Sequence, residues 1–143
     1  RFALRAHRDP STRSGRKYAK LNNGDEVLSV LPTAGQSWII AAANSGHARA
    51  VQIEEVPVLS GAGKGVILMK LLPEAEVIGA VTSGPAKEVL VATTEKGTRY
   101  EIKASEVKGE RGSGGKEIVK RASFSKVDPI PVTVPVLPAG GKP

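Results

Sequence analysis

Shifting the chain against itself by 51 positions lays residues 38–67 onto 89–118 without a gap, and no other feature constrains the fold as much. Ala41, Gly46, Glu55, Val56, Gly61, Gly63 and Ile67 meet identical partners at Ala92, Gly97, Glu106, Val107, Gly112, Gly114 and Ile118. Apolar character is kept as well, with Ile39-Ile40 over Leu90-Val91 and Val51 over Ile102. Toward the N-terminus, Lys20-Leu21 and Glu26-Val27 fall on Lys70-Leu71 and Glu76-Val77 at a shift of 50, and Phe2 and Leu4 sit near Val51 and Ile53. The 143 residues therefore hold about two and a half copies of a unit near 50 residues long, with boundaries near 1–35, 36–84 and 85–134.

Within the unit the pattern is strand and turn. Trp38–Ala43 and Glu88–Thr93 are short apolar runs, each closed by a turn containing glycine, Asn44-Ser45-Gly46 and Glu95-Lys96-Gly97. Arg49–Ile53 and Thr98–Lys103 then alternate as half-buried strands do. A glycine-rich basic loop follows, at Ser60–Gly65 and Gly109–Lys116. Val66–Leu72 and Glu117–Ala122 read as third strands, and Glu76–Val81 as a fourth. The fourth strand of the last unit, near Val127–Val134, is interrupted by Pro129 and Pro131, which favours an edge. Four strands at this period make a propeller-type blade, so the expected fold is all-β with at most a turn or so of helix. Residues 1–134 form that domain, and 135–143, rich in proline and glycine, read as a disordered tail.

Charge narrows the partner. The net charge is +7 with a pI near 9.9, the footprint of a polyanion ligand. It is clustered: residues 1–20 carry +6, residues 21–95 carry −4, and residues 96–143 carry +5. Cysteine is absent, so disulfides, thiolate metal sites and cysteine nucleophiles are excluded. Two histidines, His7 and His47, cannot make a histidine-rich metal site, and both read as solvated loop residues. Five aromatic residues are few for a platform that stacks single-stranded bases. No apolar run approaches the roughly 20 residues of a membrane helix. The opening on Arg1, with no initiator methionine or targeting pattern, reads as a piece of a longer, cytoplasmic protein.

Ser60–Gly65 superficially resembles a nucleotide phosphate loop. That loop needs glycine five positions before its Gly-Lys pair and Ser or Thr after the lysine. Here Val58 and Gly65 hold those places, and Glu110 and Glu117 hold them around Gly115-Lys116. No cofactor or metal is expected. The repeated glycines instead suit close approach to a phosphate backbone through amides and an ammonium group, without reading sequence.

Three stretches carry a resemblance to a known family: Trp38–Ala50, Val56–Leu71 (VPVLSGAGKGVILMKL) and Gly109–Arg121 (GERGSGGKEIVKR). Together they resemble the blade of the C-terminal domain of bacterial type IIA topoisomerase A subunits, those of DNA gyrase and topoisomerase IV. The resemblance covers roughly residues 1–130. It implies a β-pinwheel, a disc of four-stranded blades whose basic rim bends or wraps duplex DNA. The gyrase box has the form Gln-Arg-Arg-Gly-Gly-Lys-Gly; Gly63-Lys64-Gly65 match its end, but Val58 to Ala62 do not supply its start. That departure favours a topoisomerase IV-like or degenerate gyrase domain. The family's catalytic tyrosine belongs to another part of the protein, and neither Tyr18 nor Tyr100 lies in a comparable context. Two and a half copies do not close the family's usual disc of six blades, so the pinwheel is either partial or open.

The function so implied is binding and modest bending of duplex DNA, positioning it for strand passage by a catalytic core absent here. The parent would be an ATP-dependent type II topoisomerase, a heterotetramer with an ATPase subunit, nucleoid-associated and acting in chromosome segregation. The expected phosphate contacts are Arg13, Arg16, Lys17, Lys64, Lys70, Arg99, Lys103, Lys108, Arg111, Lys116, Lys120 and Arg121. The alternative, from a different class, is a protein-interaction propeller whose basic surface serves solubility.

Overall fold

Six consecutive apolar or small residues, free of glycine and proline, make Trp38–Ala43 the first strand, β1. It stops at Asn44-Ser45-Gly46, where Gly46 takes φ 78°. A side chain is barred there twice over, by the left-handed backbone and because a Cβ would lie 3.0 Å from the Val119 carbonyl oxygen. The chain returns as β2 (His47–Gln52), antiparallel to β1 with Ile40 opposite Ala50. β3 (Val77–Ser83) lies along the other side of β1, with Val81 opposite Ile40. The next unit repeats the hairpin. β4 (Leu90–Thr94) turns through Gly97, φ 83°, into β5 (Arg99–Ile102), with Leu90 opposite Ile102. A single helical turn, α1 (Ala104–Val107), leads to the short strand β6 (Lys116–Glu117). β7 (Phe124–Val127) then flanks β4, with Val127 opposite Ala92. These elements come from a computed structural model that describes residues 1–11, 13–33, 37–84 and 88–129.

The strands form two sheets, ordered β3-β1-β2-β6 and β5-β4-β7. The first is built across the repeat boundary, since β6 belongs to the later unit yet pairs with β2 of the earlier one, Ala48 opposite Lys116. One core serves both sheets, joining Ile40, Ala48 and Val81 to Leu90, Ile102 and Phe124. The alanines of β1 and β2, fully buried at Ala42, Ala48 and Ala50, let the layers approach closely. Large residues such as Phe124 and Leu90, exposed by 2% or less, contribute about 1.5–3 kcal/mol each on burial. Tyr100 meets Phe124 edge-on at 6.0 Å between ring centroids.

Among the described residues, helix is confined to α1 and single 3₁₀ turns at Leu4–His7 and Ile53–Glu55, so the chain is an all-β, propeller-like pinwheel with open sheets. Among the same residues no helix is long and apolar enough to cross a membrane.

Three expected strands differ. Val66–Leu72 forms no ladder and makes one parallel bridge, Lys70 to Gly114. Its backbone turns instead toward the next unit, where the Leu68 carbonyl accepts the Gly112 N–H at 2.9 Å. Of Glu117–Ala122, only the first residue is in a strand, for the same reason: this part of the unit crosses to its neighbour. The last strand is Phe124–Val127, three residues earlier than expected, and it is an edge strand that ends before Pro129. Residues 130–134 and the tail at 135–143 lie outside the described residues.

The described residues of the segment 1–33 contain no strand. Isolated parallel bridges tie them to the unit that follows, Phe2 to Leu59 and Ala19 to Gly63. Phe2 stacks on Tyr18 with ring centroids 5.0 Å apart.

Candidate nucleic-acid interface

Each glycine-rich segment lies on the unit before it, and the two junctions repeat one another. At the first, the Leu59 N–H donates to the Arg1 carbonyl and the Lys20 N–H to the Gly63 carbonyl, both at 2.9 Å. At the second, the Gly109 N–H donates to Ala50 and the Lys70 N–H to Ser113, both at 3.0 Å. An arginine locks each junction. Arg1 Nε donates to the Val56 carbonyl at 2.7 Å. Arg49 donates through Nη1 to the Lys108 carbonyl at 3.2 Å and through Nη2 to that of Gly114. Gly109 leaves room there for the Arg49 guanidinium, which a Cβ would displace.

The chain also presents a periodic cation, beside the junctions in its first two copies. Ala19-Lys20, Met69-Lys70 and Val119-Lys120 recur every 50 residues. Met69 and Val119 are buried, and all three lysines are exposed. The inward apolar residue anchors the segment and points its neighbour outward.

All twelve expected contact residues are exposed. Four already bond within the chain. Arg16 donates to the Ala6 carbonyl at 2.7 Å, Arg99 pairs with Asp128 at 3.0 Å, Arg111 reaches the Ile67 carbonyl at 3.2 Å, and Lys116 reaches the Glu106 carbonyl at 2.8 Å. The other eight form no ion pair among the described residues. The structure gathers Lys70, Lys108, Arg111 and Lys116 around the second junction. Lys64 follows Gly63 at the first, next to the segment carrying Lys17. Arg99 lies on the outer face of β5, and Lys103, just past its end, continues that face beyond Glu101. Lys120 and Arg121 adjoin the Gly46 turn, whose carbonyl accepts the Val119 N–H at 3.3 Å. Lys20 is absent from the expected set, although its 50-residue spacing to Lys70 and Lys120 was the signal that could have found it.

In the second loop, Gly109, Gly112 and Ser113 donate to backbone carbonyls, and the Arg111 N–H donates to Glu55 at 3.2 Å. An anion at this loop would therefore meet ammonium and guanidinium groups rather than a nest of free N–H groups. Gly61, Gly112 and Gly114 do face open space. His47, expected in a solvated loop, opens β2 half-buried with Nδ1 3.0 Å from the Ser45 carbonyl oxygen. Between the units, the Gly84 N–H donates to Glu88 Oε2 at 2.8 Å, which holds that carboxyl below the usual range.

The chain matches the family described as the DNA gyrase C-terminal domain, a beta-propeller, over residues 9–34 and 51–83. Those segments are the same part of the unit in successive copies. The DNA gyrase A protein of Klebsiella oxytoca is 31% identical over 97 residues, which is 67% of this chain and 11% of that protein. Its counterpart in Escherichia coli K12 is 30% identical over 95 residues, 66% of this chain and 11% of that protein. The chain thus spans about a tenth of the length of these relatives. Among solved structures, the C-terminal domain of DNA topoisomerase IV superposes with a TM-score of 0.77 at 21% identity, covering 89% of this chain and 41% of that one. The E. coli ParC C-terminal domain gives a TM-score of 0.58 at 19% identity, covering 77% and 48%. The strand-exchanged sheets, the repeat and these matches agree: the chain belongs to the family of DNA gyrase C-terminal domains, and it shares its fold with the C-terminal domain of DNA topoisomerase IV.

Proposed function

We propose that this chain is a duplex-DNA-binding accessory module that engages phosphates without reading sequence and bends the duplex modestly. The observation that carries this reading is the exposed lysine that recurs at the 50-residue period, Lys20, Lys70 and Lys120, the first two beside glycine-rich junctions with further basic residues. A cation repeated at the blade period meets a backbone charge that also repeats, whereas bases do not. Bending 20–30 base pairs costs on the order of 1–6 kcal/mol, which a few phosphate contacts offset. A full chiral wrap needs a longer continuous track than this chain, with its acidic middle segment, supplies. In the parent enzyme the module positions DNA for strand passage by a catalytic core; that enzyme is an ATP-dependent type II topoisomerase assembled with an ATPase subunit, working on the nucleoid during chromosome segregation.

Titration with duplexes of several sequences at increasing salt tests this. Log affinity should fall linearly with log salt, at about 0.9 per phosphate neutralised. Replacing Lys20, Lys70 and Lys120 together by alanine should flatten that slope by about 2–3 and weaken every sequence alike. Folded protein that binds no duplex at low salt would leave the protein-interaction reading in its place. Ligation of nicked plasmid with the chain bound should give little change in linking number; a large, dose-dependent change would mean wrapping.

A further inference from the structure

A small cavity of about 80 Å³ lies between the tip of the first hairpin and the second glycine-rich loop. Ser45 and His47 of the tip, Lys70, and Gly114 and Gly115 of the next unit line it. Gly115 packs so closely on the histidine that a Cβ there would come within 2.9 Å of the His47 Cβ. A Cβ on Gly114 would meet nothing within 4 Å, which leaves the approach on that side clear. The volume is far below the roughly 300–1,000 Å³ of sites that enclose a small molecule, so the cavity takes one small group presented from outside.

The ring is held by its own turn. His47 Nδ1 lies 3.0 Å from the Ser45 carbonyl oxygen and 3.3 Å from the Ser45 hydroxyl. A carbonyl can only accept, so Nδ1 carries the proton of the neutral ring and Nε2 is left as a bare acceptor. Nε2 has no hydrogen-bond partner among the described residues. A second proton turns it into a charged donor. Three charged side chains surround the ring. Lys70 lines the cavity with it, and Arg49, two residues along β2, is tied to the Gly114 carbonyl. Glu117 stands opposite His47 on β6 but is exposed, where salt weakens its field. At the 51-residue shift Thr98 takes the place of His47, so an imidazole sets the Lys70 copy apart from the Lys120 copy.

We infer that this cavity is a phosphate subsite in which protonated His47 joins Lys70 on one backbone phosphate, so that duplex binding tightens as pH falls. The inference rests on the DNA-binding reading above and adds to it a residue that responds to pH. Neutral His47 turns a lone pair toward a phosphate oxygen and repels it; the imidazolium donates to it. Histidine is the side chain whose ordinary charge change falls between about pH 5 and 8.

Binding of a fluorescent duplex to the 143-residue chain, over a salt series at about pH 8 and about pH 5.5, tests it. The chain should bind about threefold more tightly at the lower pH, with a salt slope steeper by about 0.9, the increment for one more phosphate neutralised. There are two histidines, so His7→Gln should keep this gain and His47→Gln should lose it. Gly114→Leu should lose it too, by blocking the approach with a side chain that has room to fit; it also serves if His47→Gln fails to fold. A gain that survives in either folded variant, or that vanishes in His7→Gln, overturns the assignment. If millimolar inorganic phosphate at constant ionic strength abolishes the gain, the site is one for free phosphate and the duplex assignment falls. Equal affinity and slope at both pH values also overturn it, while leaving DNA binding itself standing. A folded chain that binds no duplex at either pH removes the DNA-binding reading, and this inference with it.

Discussion

Residues 19–33 and 69–83 are one stretch of the repeat met twice. Both begin with an apolar residue and an outward lysine, both turn four residues later, and both end in an apolar run. Only the second run becomes a strand. The difference is not propensity, since Val27-Leu28-Ser29-Val30-Leu31 is as good a strand sequence as Val77-Ile78-Gly79-Ala80-Val81. It is the presence of β1 across the ladder from the second and, among the described residues, of no strand across from the first. Strand formation here is supplied by cross-strand packing and burial. The family match covers both stretches, so kinship at the level of sequence does not distinguish the packed copy from the unpacked one.

The sharpest way to break this comparison is a pair of truncations. Ile40, fully buried between β2 and β3, should cost about 2–5 kcal/mol when replaced by alanine. Leu31→Ala, at a half-buried position with no strand across from it among the described residues, should stay within about 0.5 kcal/mol. Urea unfolding of both variants measures the difference. Equal losses would mean that residues 27–33 are as firmly packed in solution as β3.

The junctions offer a second comparison. Each junction is braced by an arginine, Arg1 standing in the backbone place of Ala50 and Arg49 one residue before it, but Arg49 donates to two carbonyls from a side chain whose Nε is buried without a partner. Arg49→Ala should destabilise by about 2–3 kcal/mol, the range for losing charge-assisted hydrogen bonds. Arg49→Lys should recover little, because an ammonium cannot span both acceptors as the planar fork does. Amide exchange at Gly109 and Gly112 should quicken in both variants. If lysine restores protection fully, the junction needs only a positive charge.

What was legible in the sequence divides along the same line. Hairpins are local, and the glycine turns at Gly46 and Gly97 with the alternation after them placed β1, β2, β4 and β5 within two residues. The exchange between units is not local. Val66–Leu72 has the apolar content of a strand, but whether it pairs depends on a neighbour 44 residues away, and it spends its carbonyls on Gly112 and Arg111 instead. The candidate interface is legible as charge and only partly as geometry. Arg111 and Lys116 look like free cations in sequence, yet Arg111 reaches Ile67 across the second junction and Lys116 bonds to Glu106 within its own unit. Arg49 is central to that junction and reads in sequence as one more strand residue. The lysine period was visible and needed only a third copy to be counted.

The smallest expected effect compares the two places where the chain enters a hairpin. The hairpin at β4 is preceded by Glu88, while the equivalent position before β1 is Ser37. The Gly84 N–H lowers the Glu88 carboxyl below its ordinary 4.5 by stabilising the charged form. A carboxylate whose folded value is depressed adds stability that is complete above its unfolded value and is lost as pH falls through the folded one. The contribution is small because the group is well solvated. Glu88→Gln should therefore lower stability slightly at neutral pH, and the gap from the unaltered chain should close in acid. Thermal unfolding from neutral pH down to about pH 3 follows that convergence. Ser37→Ala, lacking any ionisable group, should give a difference that does not change over the same range. A Glu88→Gln gap that persists undiminished in acid would show that the Gly84 contact is held by shape rather than by charge.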